Sequence, residues 1–263
     1  MSDLTMQLRK LGHLSLLAVA DLGNLLFFAL AAFRAALTPP LRFSRLLEEL
    51  HLLGVLSIIV IALAGTTVGM VLGLQGYNTL VRFGAENALG AVVGLSLIRE
   101  LGPVLTALLV AGRAGSATAA GIASMVATEQ LDGLRMMSID PIDLVVAPKL
   151  IGFILVMPFL TVLFVLAGLA GGWLVAVQLM GHDPGFFRAS LDGAVRFDQD
   201  ILLCLVKALV FGGIAGIVAT YRGFHAVANA AGVSAATTST VVTTSVTVLL
   251  ADYVVTALWG FRP

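Results

Sequence analysis

The sequence is short of everything that keeps a chain dissolved in water. Only 11% of its 263 residues are charged, against about 25% in ordinary soluble domains. Its 15 acidic and 15 basic side chains are too few to clothe a 27.3 kDa globule, so lipid must be the main solvent. No basic excess exists either. The net charge is zero and the basic residues are spread along the chain, which excludes nucleic acid as a partner, because phosphate recognition needs a clustered positive surface. One cysteine, Cys204, in the apolar run Leu202-Leu203-Cys204-Leu205-Val206, excludes an intrachain disulfide and a cysteine-based metal site. His13, His51, His182 and His225 show no ligand spacing, so no metal is expected. No Ser/His/Asp arrangement suggests a catalytic residue. The phosphate-loop pattern Gly-x-x-x-x-Gly-Lys-[Ser/Thr] is also missing, and none of Lys10, Lys149 and Lys207 follows a glycine. The chain is therefore read as a non-enzyme, and any ATP it depends on is hydrolysed in another subunit.

What the sequence does hold is apolar length: 59% of it is hydrophobic. A membrane-crossing helix needs about 20 mostly apolar residues. Five windows meet that need, at about 52–74, 88–111, 148–180, 201–220 and 240–261. They are expected to be helices, because lipid offers no partner to an open strand edge. The predicted fold is thus an all-α integral membrane protein: residues 51–263 form a five-helix permease-like domain behind an N-terminal region, 1–50. The stretch His13 to Leu37 is interrupted by Asp21 and Asn24, and Arg42, Arg45, Glu48 and Glu49 follow. That pattern suits a helix lying in the membrane interface rather than crossing it. Arg9-Lys10 before a short apolar run resembles a signal peptide, but the run contains Gly12 and His13 and is too short, so no cleavage is expected.

Basic residues set the orientation. With five spans and a cytoplasmic N-terminus, Arg9, Lys10, Arg34, Arg42, Arg45, Arg113, Arg135, Lys149 and Arg222 lie inside, and Arg82, Arg188, Arg196 and Arg262 outside. The excess on the inner side favours that arrangement, with a periplasmic C-terminus.

Four charges fall at lipid depth. Arg99 and Glu100 sit at the middle of the second window, in Leu97-Ile98-Arg99-Glu100-Leu101-Gly102-Pro103. A charge there costs about 2.5–3.5 kcal/mol on the lenient insertion scale, so it is expected to face a cavity or bundle interior. Adjacent helical residues point about 100° apart and are poorly placed to pair with each other. Pro103 removes the hydrogen bond to the Arg99 carbonyl, which predicts a kink or break, and interrupted helices at mid-bilayer commonly make transporter sites. Lys207 and Asp252 lie at similar depth with opposite sign and are expected to form an intramembrane pair. Glycines four apart, at Gly65, Gly69 and Gly73, Gly168 and Gly172, and Gly212 and Gly216, suit close helix packing. Between windows two and three, residues 116–137 are helix-compatible and end in a polar stretch with Glu129, Gln130, Asp132 and Arg135 before Asp140-Pro141. A polar cytoplasmic helix without a domain of its own is suited to docking a soluble partner.

Several long motifs occur in order: Gly69-Met70-Val71-Leu72-Gly73-Leu74-Gln75-Gly76-Tyr77, Leu97 to Pro103, Ala111-Gly112-Arg113-Ala114-Gly115-Ser116-Ala117, Ala127-Thr128-Glu129-Gln130-Leu131-Asp132 and Met136-Met137-Ser138-Ile139-Asp140-Pro141. From about residue 50 onward the chain resembles the MlaE family, permease subunits of the Gram-negative phospholipid ABC transporter that maintains outer-membrane lipid asymmetry. The resemblance implies an inner-membrane homodimer with an N-terminal interfacial helix and five spans. It also implies cytoplasmic ABC ATPase subunits that bind ATP and Mg, a STAS-domain accessory subunit and a periplasmic MCE-domain hexamer, with phospholipid as the bound substrate. Lipid-binding positions carry over to Leu72, Phe83, Glu100 and Leu101, beside Arg99. The ATPase-coupling helix carries over to 116–137, with Arg113, Glu129, Gln130 and Asp132. One departure is plain: where many relatives read Ala-Glu-[Leu/Ile]-Gly, this chain reads Ala120-Gly121-Ile122-Ala123, without the acid. Two other classes fit the composition, a secondary transporter and a structural membrane scaffold. No inverted repeat supports the first, and the second gives a polar coupling helix nothing to do.

Overall fold

The computed structural model describes residues 20–21, 23–37 and 43–260, which are helical with short turns and contain no strand. Five helical runs are long and apolar enough to cross a membrane: Ser44–Phe83, Glu86–Ala127, Ile142–Leu179, Phe197–Phe224 and Ala230–Gly260. They are built from α2 (Phe43–Leu53), α3 (Ile58–Leu80), α4 (Leu89–Ser96), α5 (Gly102–Val110), α6 (Ser116–Ala127), α8 (Ala147–Trp173), α10 (Leu202–Phe224) and α11 (Ala230–Gly260). Two short helices lie between runs, α7 (Gln130–Met136) and α9 (Pro184–Ala194). A further apolar helix, α1 (Gly23–Leu37), precedes them.

Small residues set the packing. α8 runs through the middle of the bundle, against α3 on one side and α10 on the other. A Cβ on Gly69 would stand 1.8 Å from the Gly168 carbonyl oxygen, and one on Gly171 would stand 2.2 Å from that of Thr66. The α3 and α8 backbones therefore touch, which is how helices gain dispersion energy where lipid removes the hydrophobic drive. Gly212 on α10 meets the Phe153 carbonyl in the same way, at 2.8 Å. Around these contacts Phe153, Met157, Phe164 and Phe211 are fully buried. α11 is different. It buries only Gly232, Ala236, Thr240, Thr244 and Val248, one residue in four along a narrow stripe against α6 and α10. Leu249, Leu250, Tyr253 and Leu258 on its other faces are exposed.

Every run is longer than its expected window, because hydropathy stops at the first polar residue whereas the hydrogen-bond ladder does not. The second run shows this most clearly. It spans 42 residues, about 63 Å of helix, roughly twice a bilayer core, so α6 continues span two instead of beginning a separate segment. The single coupling helix expected over 116–137 is consequently two pieces. α6 ends at Ala127, Glu129 turns left-handed at φ 56°, and α7 begins at Gln130. Thr128 Oγ1 donates to the Ser124 carbonyl across this end. A second expectation also changes at Pro103, where the helix widens but does not break. Leu97–Leu101 form a π-helical turn, and α5 starts with Gly102-Pro103. Pro158 likewise sits inside an uninterrupted α8.

The N-terminal reading falls partly on described residues. α1 buries Phe28 and Ala32 against Val146, Leu150 and Tyr221, while Leu26, Phe27, Leu30 and Leu37 face outward. Asp21 accepts a hydrogen bond from the Tyr221 hydroxyl at 2.8 Å and pairs with Arg222 at 3.4 Å. Residues 9–19, where the signal-peptide pattern lies, are outside the described residues.

Candidate functional site

Arg99 and Glu100 sit on the π-turn Leu97–Leu101, and each finds its own partner. Arg99 Nε donates to Asp200 Oδ1 at 2.5 Å. Asp200 has no exposed surface, and its second oxygen accepts from the Arg196 backbone N–H at 2.7 Å. Glu100 Oε2 accepts from Lys207 Nζ at 2.8 Å. The two adjacent charges thus pair across helices and not with each other.

Lys207 is the hub. It is fully buried, and a bare ammonium there would be prohibitive without partners. Its Nζ meets three oxygens: Glu100 Oε2, the Arg99 carbonyl at 2.8 Å, and Asp252 Oδ1 at 2.7 Å. The Asp252 contact is an ion pair whose alignment falls outside hydrogen-bond geometry. The Arg99 carbonyl is the one orphaned by Pro103, since a proline at i+4 has no N–H to give. Lys207 on α10 therefore repairs a gap in the ladder of another span.

These side chains open on a cavity of about 410 Å³ walled by Arg99, Glu100, Asp198, Gln199, Thr256 and Trp259 among others. Arg99 and Glu100 keep 45% and 44% of their side-chain surface exposed, so both remain available to a ligand. The Thr256 hydroxyl on its wall is shielded from solvent and has no hydrogen-bond partner among the described residues. The other expected lipid positions stand elsewhere in the chain. Leu72 and Leu101 are half-buried against the main core. Phe83 is 79% exposed, at the end of the short turn that follows α3. None of the three walls this cavity.

The expected coupling residues also separate. Arg113 is held inward, donating to the Leu52 carbonyl at 2.8 Å and to Ser57 Oγ at 2.9 Å, where it clamps the junction between α2 and α3. Glu129, Gln130 and Asp132 are exposed around the α6–α7 turn, and Asp132 pairs with Arg135 at 2.8 Å. Met136 and Met137 project beside them, 84% and 63% exposed. No group of His, Cys, Asp and Glu among the described residues is arranged to hold a metal.

Residues 46–258, most of the chain, match the family described as Permease MlaE. The chain belongs to the MlaE permease family. The intermembrane phospholipid transport system permease protein MlaE of Haemophilus influenzae is 44% identical over 243 residues, covering 92% of this chain and 91% of that protein. A probable ABC transporter permease protein of Rickettsia bellii is 39% identical over 250 residues, 95% and 96% of the two chains. The Arabidopsis thaliana protein TRIGALACTOSYLDIACYLGLYCEROL 1, chloroplastic, is 35% identical over 213 residues, 81% and 61% of the two.

For a permease of the MlaE family, the residues that sequence reasoning missed are instructive. Asp198, Gln199 and Asp200 fell just outside the fourth hydropathy window and read as loop. In the structure they lie on a π-turn, Phe197–Ile201, that begins the fourth run. An available signal was Arg99 itself: a buried-depth arginine requires an anion, and Asp198 and Asp200 are the acids at the start of a neighbouring span. Thr256 and Trp259 carried no signal beyond their place in an apolar window.

Proposed function

We propose that the chain is the membrane-spanning permease subunit of an ABC transporter that moves phospholipids between the inner and outer membranes and so maintains outer-membrane lipid asymmetry. It resides in the inner membrane with its N-terminus in the cytoplasm and works as a homodimer. A separate ATPase subunit binds ATP and Mg; a STAS-domain subunit and a periplasmic MCE-domain hexamer complete the assembly. The exposed Glu129, Gln130, Asp132, Met136 and Met137 around the α6–α7 turn dock the ATPase. Arg113, pinned to Leu52 and Ser57, carries the resulting displacement from span two to span one. The names of the relatives support this reading, and one observation in this chain carries it. Two charged side chains at membrane depth, each nearly half exposed, share a cavity between spanning helices.

In this mechanism the lipid phosphate meets Arg99, whose terminal nitrogens are free of protein hydrogen bonds among the described residues, as a bidentate donor. Leu72, Phe83 and Leu101 line the acyl path between the two copies, and Glu100 holds Lys207. The test is lipid transfer by the reconstituted assembly with Arg99→Ala and Glu100→Ala made singly. Losing one charge-assisted hydrogen bond, about 1.5 kcal/mol, should slow transfer about tenfold. Unchanged transfer in both variants would overturn the site.

A further inference from the structure

The cavity at Arg99 is more acidic than a phosphate site should be. Its walls carry one cation, Arg99, and two carboxylates, Glu100 and Asp198, a formal −1, while Lys207, Asp200 and Asp252 pair behind them. The cations are also the more heavily committed partners. Lys207 is fully buried with two hydrogen bonds and an ion pair, and Arg99 gives its Nε to Asp200. By contrast, Glu100 uses one oxygen on Lys207 and keeps the other, and Asp198 is exposed on the cavity wall with no hydrogen bond or ion pair of its own among the described residues. The volume, about 410 Å³, is within the range of small-molecule pockets, about 300–1,000 Å³.

One ligand chemistry matches all of this: an anion for the terminal nitrogens of Arg99, with a cation a few bonds away for Glu100 and Asp198. We propose that the cavity selects phospholipids whose headgroup carries an ammonium beside the phosphate, and disfavours those whose only charge is the phosphate. A purely anionic headgroup can pair with Arg99 but leaves Asp198 uncompensated and facing a like charge, and such repulsion is one route by which specificity is enforced. The inference rests on the phospholipid-transport reading above and adds a headgroup preference to it.

The test uses the assembled transporter in vesicles of equimolar phosphatidylethanolamine and phosphatidylglycerol, and measures how much of each lipid reaches an acceptor when ATP is supplied. Phosphatidylethanolamine should move at least about threefold faster, the discrimination that one partly exposed charge contact supplies. Asp198→Asn should bring the ratio close to one, and Asp198→Lys should invert it. Asp198 is exposed, so both variants should keep the melting midpoint of the parent. Equal transfer of the two lipids by the parent, or a ratio that Asp198→Lys leaves unmoved while both lipids still travel, would overturn the headgroup preference and leave the transport reading standing. Absence of ATP-dependent transfer of either lipid by the parent would overturn the transport reading, and the preference with it.

Discussion

Consider what Lys207→Met does. The substitution keeps the length of the side chain and removes the charge that three oxygens share. At contact distances of 2.7–2.8 Å, each carboxylate interacts with the ammonium by about 6 kcal/mol at an effective dielectric of 20, before desolvation is set against it. The Glu100 share is the smaller, because 44% of that side chain is exposed against 19% for Asp252 and water screens it. What survives desolvation is set by the partners left behind: stranding a buried charge typically costs about 3–5 kcal/mol, and the Arg99 carbonyl loses the Lys207 donor besides. The melting midpoint of the purified protein in detergent should therefore fall by about 10 °C. A three-partner hub also predicts an asymmetry that a simple pair does not. Exchanging the two charges, Lys207→Asp with Asp252→Lys, should rescue little, because the new carboxylate would face Glu100 and the bare carbonyl. Neutralising all three, Lys207→Met with Glu100→Gln and Asp252→Asn, should recover most of the loss. Full rescue by the exchange, or a Lys207→Met protein as stable as the parent, would refute the hub.

Three further outcomes follow from named contacts. Gly69→Ala should destabilise strongly, because its Cβ would stand 1.8 Å from the Gly168 carbonyl oxygen, whereas Gly213→Ala, with nothing within 4 Å, should melt within about 1 kcal/mol of the parent or above it. Gly121→Glu places an acid on the outer face of α6. The site is exposed and a Cβ there meets nothing within 4 Å, so the variant should gain about 0.5–1 kcal/mol from helix propensity alone, read as a raised melting midpoint. Asp21→Asn removes the charge that pairs with Arg222 and weakens the acceptor for Tyr221, so amide exchange across Gly23–Leu37 should quicken while the five long runs keep their protection.

Much of this was legible in the sequence, for a physical reason. Lipid reduces the choices open to a backbone to almost one, so five apolar windows imply five helices, and their midpoints fell inside the observed runs. The ends were hidden because polar residues such as Gln75 and Asn78 extend a helix past its apolar stretch when the chain leaves the bilayer. Charges at depth were conspicuous because they are costly, and Arg99, Glu100, Lys207 and Asp252 were all singled out. Which of them meet depends on helix rotation, which no window reports. Lys207 and Asp252 shared a depth and do lie together, but the third member, Glu100, and the separate Arg99–Asp200 contact depend on two π-turns, at Leu97–Leu101 and Phe197–Ile201. A π-turn is a single inserted residue and leaves no hydropathic trace. The left-handed Glu129 that divides 116–137 was equally silent, since no glycine or asparagine announces it.

The contact between Lys207 and the Arg99 carbonyl bears on how such a bundle can move. Proline weakens a helix by leaving a polar group unmet, and here the missing donor is lent by a different span. Sliding α10 away from the π-turn would uncover that carbonyl and two carboxylates at once, in surroundings where each unmet group costs several kcal/mol. The two spans are therefore fastened at this point, and parting them requires another polar group to take the place of the lysine. A proline ordinarily read as a weak point serves here as a fastening between two spans.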